Sequence, residues 1–190
     1  MIERLVIATK NDDKRSEIAA VLVDAGLVGE IVVGLSWPDV AETGDTLEDN
    51  ALLKARAVAE ATGLPALADD TGLEVAALGG APGVDTARFA GPEATYAENV
   101  DKLLESMVGV DDRSAVFRTV IALVEPGGRT VTAEGSLEGR ITTGRRGENG
   151  FGYDPVFEVD GRTLAEIPTE EKNFVSHRAR AIRALADALL

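Results

Sequence analysis

Two adjacent acids, Asp69 and Asp70, end the apolar run "ALADD" and are the first residues of this sequence that suggest chemistry. Glu42 is a third acid that could reach them if both segments end at one edge of an open α/β sheet, where such sheets bind ligands. Mg²⁺ takes one or two carboxylates together with substrate oxygens and retained waters. These acids therefore indicate a magnesium site for a phosphorylated ligand. The alternative is that Asp70, Thr71 and Gly72 form a turn and Glu42 is solvated.

The segment "ATKNDDK" adds candidate phosphate ligands at the point where a strand is predicted to end and a helix to begin. Thr9 and Asn11 offer polar side chains, and Lys14 lies in the first helical turn. A lysine gains nothing from the helix dipole there, whereas an anion is attracted to the free N–H groups. The glycines of a Walker A loop are missing. The alternative is a solvated loop in which Asn11 or Asp12 caps the helix.

A third segment, "GENGFGYDPVFE", combines glycines with aromatic rings. Glycines such as Gly152 let the backbone approach a flat ligand while the ring of Phe151 or Tyr153 stacks on it. The carboxylate of Asp154 could bind the edge of a nucleobase. The alternative is a hairpin loop with buried aromatic residues.

The fourth segment, "EEKNFVSHRARA", places cations at the start of the last helix. His177, the only histidine, and Arg178 occupy the end of a helix where positive charge is least favourable, and Lys172 lies nearby. Such a group needs an anion, either a ligand or an ion pair between Arg178 and Glu170 or Glu171. A lone histidine is more often structural, and one histidine with no cysteine excludes a histidine-rich zinc site.

The elements that must position these residues follow an α/β pattern. Hydrophobic periodicity and capping residues predict helices, and short apolar runs predict strands. A Thr-Gly turn is expected directly after Asp70. Four helices are predicted: from Asn11 or Asp12 to Gly26, from a capping box at 46–49 to Gly63, from a capping box at 95–98 to Leu104, and from Ser176 to the end. The apolar face of the first helix consists of Ile18, Val21, Leu22 and Ala25. The predicted strands cover 5–9, 30–34, 66–69 and 151–159, with a hairpin of 114–125 and 129–142 around "PGG".

Length, composition and charge bound the possible functions. A chain of 190 residues with 45% apolar and 27% charged residues is expected to form a globular protein. No segment has the length of a membrane span or the pattern of a leader, and the absence of cysteine suits the cytoplasm. The net charge of −14 argues against a general nucleic-acid binder. A small phosphorylated ligand is still compatible with it, because a metal ion or a local group of cations can reverse the field.

Taken together, the segments resemble the family of non-canonical purine nucleoside triphosphate pyrophosphatases, the inosine/xanthosine triphosphatases. The resemblance extends from "VIATKNDDK" to "SHRARA", and its most specific parts are "FGYDPVF", "SHR" and the block from "EDNALLKA" to "ARFAG". It implies a single α/β domain over residues 1–190, with a mixed central sheet, two lobes and an active-site cleft between them. It also implies a homodimer. Binding to nucleic acid or membrane is not expected, because of the net charge and the lack of a long apolar run.

The resemblance also implies a role for individual residues. Asp70 would be the catalytic base and, with Glu42, a ligand of Mg²⁺. Lys10 stands where many members have glycine, which affects the detailed geometry of the first loop. Thr71, next to the catalytic Asp70, would contact the substrate. The other substrate-binding residues would be Thr9, Asn11 and Lys14 for the triphosphate, and Phe151, Gly152, Tyr153, Asp154, Lys172, His177 and Arg178 for the purine.

The implied reaction is the hydrolysis of ITP, dITP and XTP by attack of water on the α-phosphorus, which gives the monophosphate and pyrophosphate. Donors facing the 6-oxo group of the purine would disfavour adenine, whose 6-amino group would leave them unpaired. Two other classes stay open: a pyrophosphatase of modified pyrimidine nucleotides, and a nucleotide sensor without catalysis. The presence of both Glu42 and Asp70 disfavours the sensor.

Overall fold

The computed structural model describes residues 1–189 and has a mixed α/β architecture, as the sequence predicts. Over these residues it contains eight strands and five α-helices, with short 3₁₀ turns between them. The strands are β1 (Ile2–Ile7), β2 (Val28–Ile31), β3 (Ala66–Val75), β4 (Pro82–Gly83), β5 (Ser114–Val124), β6 (Thr130–Ile141), β7 (Phe157–Val159) and β8 (Arg162–Thr163). The helices are α1 (Asp12–Asp24), α2 (Leu47–Thr62), α3 (Tyr96–Ser106), α4 (Thr169–Val175) and α5 (His177–Ala188).

The strands form one mixed sheet in the order β2-β1-β3-β5-β6-β7-β8, with β4 paired to β3. β1 is parallel to both β2 and β3, whereas β4, β7 and β8 pair antiparallel to their neighbours. In the parallel part, Val6 is in register with Ala66 and Ile7 with Leu67. Because parallel strands end at the same edge of a sheet, the residues that follow β1 lie beside the second half of "ALADD".

The turn expected after Asp70 is wrong, because β3 continues through Thr71 to Val75. The pairing of β3 with β4, in which Leu73 is opposite Gly83, extends the strand. The backbone N–H of Leu73 also donates to Thr86 Oγ1 at 2.7 Å. Asp69 and Asp70 are therefore strand residues whose side chains leave opposite faces of the sheet.

The helix starts are set by local capping, as predicted. Asn11, Thr46 and Thr95 are the N-caps of α1, α2 and α3, and each side-chain oxygen accepts a hydrogen bond from the backbone N–H three residues later. At α3 the box is complete, because Glu98 also accepts from the backbone N–H of Thr95. Gly63 ends α2 with a left-handed φ of 68°.

Three local predictions need correction. Ala25 is exposed, because it is the C-cap of α1 and not part of its buried face. The strand expected at 30–34 is β2 and ends at Ile31. The strand expected at 151–159 is limited to β7, because Asp154–Val156 form a 3₁₀ turn in which Pro155 is an early residue. The hairpin of β5 and β6 is confirmed, and the backbone N–H of Glu125 donates to Arg129 O across its turn at 2.9 Å.

The chain divides into two compact units, and the boundaries fall inside β3, β5 and β6 and between α4 and α5. The first unit comprises Met1–Asp70, Thr119–Gly135 and the chain from His177 onward. Its buried core is aliphatic and includes Leu5, Ile18, Leu22, Leu67, Ile121 and Ile182.

The second unit comprises Thr71–Arg118 and Ser136–Ser176. Its core contains the aromatic pair Phe117 and Phe157, whose ring centroids are 4.5 Å apart. That residues 1–190 form a single functional domain with a cleft stays a prediction. Among residues 1–189, no helix combines the length and the apolar character that a membrane crossing requires.

Candidate active site

The acid pair at the end of "ALADD" is almost fully buried, with 2% of Asp69 and 6% of Asp70 exposed. Buried carboxylates require charged or hydrogen-bonding partners. The two residues belong to the first unit, and each has its own group of cations. Their mutual repulsion is thus reduced both by their opposite orientation on the strand and by separate positive partners.

Asp70 is bound by Lys54, which extends from α2. The Lys54 ammonium donates to Asp70 Oδ1 at 2.7 Å and to Glu42 Oε1 at 2.8 Å, and so holds both carboxylates at one point. Burial lowers the pKa of Lys54, but the charges of Asp70, Asp69 and Glu42 outweigh burial and raise it overall. Lys54 therefore stays protonated between the two acids.

The carboxyl group of Asp70 keeps a raised pKa despite this ion pair. Burial is the largest cause, and the nearby charge of Glu42 acts in the same direction. The charges of Lys54 and Lys14 oppose it without cancelling it. A carboxylate with a raised pKa holds a proton more readily, which is the property that a general base needs.

Asp69 faces a second group of charges. Its Oδ2 accepts two hydrogen bonds from Arg178, through Nε and Nη2, both at 3.2 Å. Lys14 Nζ lies 3.3 Å from the same oxygen, and Arg178 Nη1 also pairs with Glu17. Burial raises the pKa of Asp69, but Lys14, Arg178 and Lys54 lower it strongly overall. Asp69 is therefore a permanently charged anchor and is poorly suited to accept a proton.

The loop after β1 is organised by its own polar side chains. The backbone N–H of Asn11 donates to Thr9 Oγ1 at 3.2 Å, and Asn11 Oδ1 accepts from the backbone N–H of Lys14 at 3.1 Å. Asn11 is thus the cap of α1, as in the alternative interpretation of this segment in which Asn11 or Asp12 caps the helix. Lys10 pairs with Asp39 on an exposed surface, so it is solvent-facing.

The second unit brings together three of the residues that were predicted to bind a purine. Asp154 and Lys172 form an ion pair in which both side chains are at least 96% buried. Asp154 Oδ2 also accepts from the backbone N–H of Phe151 at 2.9 Å. The Lys172 ammonium lies 4.7 Å from the centroid of the Phe151 ring, within cation–π distance. The ring of Phe151 is therefore held in place by its own loop and by α4.

Glycine is needed beside this ion pair. Gly150 has a φ of 72°, and a Cβ there would lie 2.1 Å from Asp154 Oδ2. Gly152, with a φ of 62°, adopts the same left-handed conformation. Tyr153 is buried in the core of the unit, and its hydroxyl donates to Thr86 O at 2.9 Å. Any contact of Tyr153 with a ligand would therefore come from its backbone.

The remaining predicted residues divide between the units. Thr71 belongs to the second unit and is half-buried on β3. His177 and Arg178 begin α5 in the first unit, and both are buried. The pairing of Arg178 with Glu170 or Glu171 is wrong, because its partners are Asp69 and Glu17.

Sequence reasoning missed Lys54 and Glu17. The sequence contained an indication for both residues, because each is a charged residue on the apolar side of its helix. Lys54 lies three residues after the buried Ala51 and four before the buried Val58, and Glu17 precedes the buried Ile18. A charged residue at such a position indicates a buried partner of opposite charge.

The carboxylates of Glu42 and Asp70 fit a divalent cation. The two carboxylates already converge on one positively charged nitrogen, that of Lys54. They can converge in the same way on a hard divalent cation, which prefers oxygen ligands. Within residues 1–189 no group of three or more His, Cys, Asp or Glu side chains is arranged to hold a metal ion. A cation at Glu42 and Asp70 would therefore take most of its ligands from substrate oxygens and water.

Comparison with known proteins gives a consistent result. The model of the Ham1 family matches residues 5–188. A protein of Bacillus licheniformis named dITP/XTP pyrophosphatase is 46% identical over 193 residues, which cover 99% of this chain and 98% of the relative. A Streptomyces coelicolor protein of the same name is 48% identical, with 96% and 94% of the two chains covered.

Solved structures agree with the sequence comparison. The structure of a HAM1 protein from Coxiella burnetii has a TM-score of 0.87 and 45% identity, and the match covers 99% of this chain and 98% of that one. The Ham1 protein of Staphylococcus aureus has a TM-score of 0.85 and 40% identity over 98% of both chains. With nearly full-length matches in family, sequence and structure, the chain belongs to the Ham1 family.

Proposed function

We propose that this chain is a nucleoside triphosphate pyrophosphatase that hydrolyses ITP, dITP and XTP to the monophosphate and pyrophosphate. The observation that carries the proposal is the partly buried group in which Lys54 joins Asp70 to Glu42. This group combines a candidate base, a candidate metal site and fixed positive charge. The names of the relatives, dITP/XTP pyrophosphatase, support the choice of substrate.

The triphosphate is bound by the start of α1 and the two lysines. Thr9 offers a hydroxyl, and the triphosphate would meet the positive end of the α1 dipole. Lys14 and Lys54 supply cationic charge, which stabilises the negative charge that develops on the leaving pyrophosphate.

Asp70 acts as the general base. The oxygen of a water molecule attacks the α-phosphorus, and the bond from that phosphorus to the α–β bridging oxygen breaks. The bridging oxygen leaves with pyrophosphate, and the water proton passes to Asp70. The raised pKa of Asp70 favours this transfer, and Lys54 orients the carboxylate.

Glu42 and Asp70 would hold Mg²⁺ when the nucleotide is bound. A bound divalent cation would supply charge neutralisation of the phosphate oxygens. Besides its charge toward the phosphates, Lys54 would keep the two carboxylates together and limit their repulsion.

The base is recognised by the residues of the second unit. Phe151 offers a ring for stacking, and Lys172 is a donor that suits the 6-oxo group of hypoxanthine and xanthine. Asp154 fixes both residues through its carboxylate. His177 is kept as a further candidate for base recognition, whereas the two ion pairs of Arg178 favour a supporting role for that residue.

A panel of ITP, dITP, XTP, GTP, ATP and modified pyrimidine triphosphates tests the proposal, with and without Mg²⁺. We expect pyrophosphate and not single phosphate to be released, fastest from the 6-oxo purines that lack a 2-amino group. Asp70→Asn should lose most of this activity and keep the fold, because it removes the base without changing the volume. Asp24→Asn, at the exposed end of α1, is the matched control and should behave as the wild type.

Release of single phosphates, a preference for pyrimidines, or near-normal turnover of Asp70→Asn would contradict the proposal. A homodimer is also proposed on the family resemblance, and sedimentation equilibrium would test it.

A further inference from the structure

We propose that Tyr96 is a positioning residue that holds the ring of Phe151 in the orientation needed to stack on a nucleobase. This inference rests on the proposed function, in which Phe151 is the stacking ring. Both residues belong to the second unit, and Tyr96 is separate from the ion pair of Asp154 and Lys172 that holds the same loop.

The ring of Tyr96 lies directly against that of Phe151. Their centroids are 5.8 Å apart, a distance typical of aromatic pairs, and their planes are inclined by 37°. Tyr96 is 43% exposed, so it is not part of the unit's core. The contact therefore lies at the surface of the protein, where a ligand can reach the pair.

The position of Tyr96 is fixed independently of Phe151. It is the first residue of α3, directly after the N-cap Thr95 and inside the capping box that Thr95 forms with Glu98. Arg145, in the loop that leads to Phe151, is attached to the same helix: its Nη1 donates to Asp101 Oδ1 at 2.8 Å and its Nη2 to Ala97 O at 2.9 Å. The helix start is therefore a rigid support for the loop that carries the stacking ring.

Helix formation does not explain a tyrosine at this position. The first turn of a helix favours acidic side chains, and tyrosine has a lower helix propensity than most unbranched residues. Tyr96 is exposed and contributes little to the helix, so its contact with Phe151 explains why a large ring is present at this position. Lys172 Nζ and the ring of Tyr96 both contact the ring of Phe151, so Tyr96 adds an aromatic contact to the cation–π contact.

The test compares Tyr96→Ala with Tyr96→Phe. Loss of an aromatic contact is expected to raise KM for ITP about three- to tenfold while kcat and the melting temperature change little. Tyr96→Phe keeps the ring and should restore the wild-type KM. Val108→Ala, at a position 79% exposed after α3, is the control for loss of an exposed apolar side chain.

Inhibition by inorganic tripolyphosphate distinguishes a loss of nucleobase binding from a general change in the binding site. Tripolyphosphate has no base, so its inhibition constant should be the same for Tyr96→Ala and wild type. An unchanged KM for ITP, or an equal loss of affinity for ITP and tripolyphosphate, would overturn the inference while the wild-type activity still supports the proposed function. If the wild type neither binds nor hydrolyses ITP, the proposed function fails and the inference fails with it.

Discussion

Replacing Arg178 with methionine should destabilise the protein more than it changes base preference. The side chain of Arg178 is 3% exposed, and its guanidinium is shared between Asp69 and Glu17, whose side chains are 1% and 10% exposed. Methionine fills much of the same volume but leaves two buried carboxylates without this partner. The substitution should therefore act mainly through electrostatics, by raising the free energy of the folded protein.

The magnitude follows from the geometry. Removing one partner of a buried ion pair costs about 3–5 kcal/mol, because the remaining charge is uncompensated. Lys14 Nζ stays 3.3 Å from Asp69 Oδ2 and compensates part of that charge. We therefore expect the free energy of unfolding to fall by about 3 kcal/mol, the lower end of that range. For a chain of this length, that loss lowers the melting temperature by about 6–12 °C.

The assay combines thermal unfolding with kcat/KM for ITP and ATP. Arg180→Met is the matched control, because Arg180 is exposed on the same helix. Adding Glu17→Gln to Arg178→Met should recover part of the stability, because it removes one of the uncompensated charges. Activity with ITP and ATP should fall by the same factor, so that their ratio is unchanged.

Two results would refute this reasoning. A melting temperature equal to that of Arg180→Met would show that the buried ion pairs contribute no net stability. A fall in the ITP-to-ATP ratio of ten- to a hundredfold, the effect of losing one charge-assisted hydrogen bond of about 1.5–3 kcal/mol, would show that Arg178 contacts the base directly.

Two further predictions concern the phosphate loop and the glycine-rich loop. Lys14→Ala should weaken binding of the triphosphate and slow the reaction without changing the ITP-to-GTP ratio, because the lost charge acts on phosphate. Competition by tripolyphosphate measures the loss, and a large change of the ratio would show that Lys14 acts on the base. Gly147→Ala should lower the free energy of unfolding by about 1–3 kcal/mol, because its φ is 80° and its Cβ would lie 2.2 Å from the carbonyl carbon of Ala165. Gly144→Ala is the control, with open space around its Cβ, and equal stability of the two variants would contradict the packing argument.

Features that depend on near neighbours in the chain could be predicted from the order of the residues. Helix capping joins residues three apart, so Thr46 and Thr95 could be identified as helix starts and are confirmed. For α1 the sequence left Asn11 and Asp12 open, and the structure shows Asn11 as the N-cap. The alternation along β5 and β6 predicted the hairpin for the same reason, since its period of two is a property of the strand alone. The acids and the glycine-rich segment were found by residue type and spacing.

The pairing of the buried charges depends on long-range packing and could not be predicted. Arg178 and Asp69 are 109 positions apart, and several acids lie nearer to Arg178 in sequence. Lys54 joins Glu42 to Asp70 because α2 and the first half of β3 belong to the same unit, which no local rule predicts. The expected turn at Thr71 failed for the same reason, because strand pairing with β4 outweighed the local preference of Thr-Gly. Local preferences amount to a few tenths of a kcal/mol up to about 1 kcal/mol per residue, whereas a buried charge left without its partner costs several, so the long-range pairing decides the arrangement.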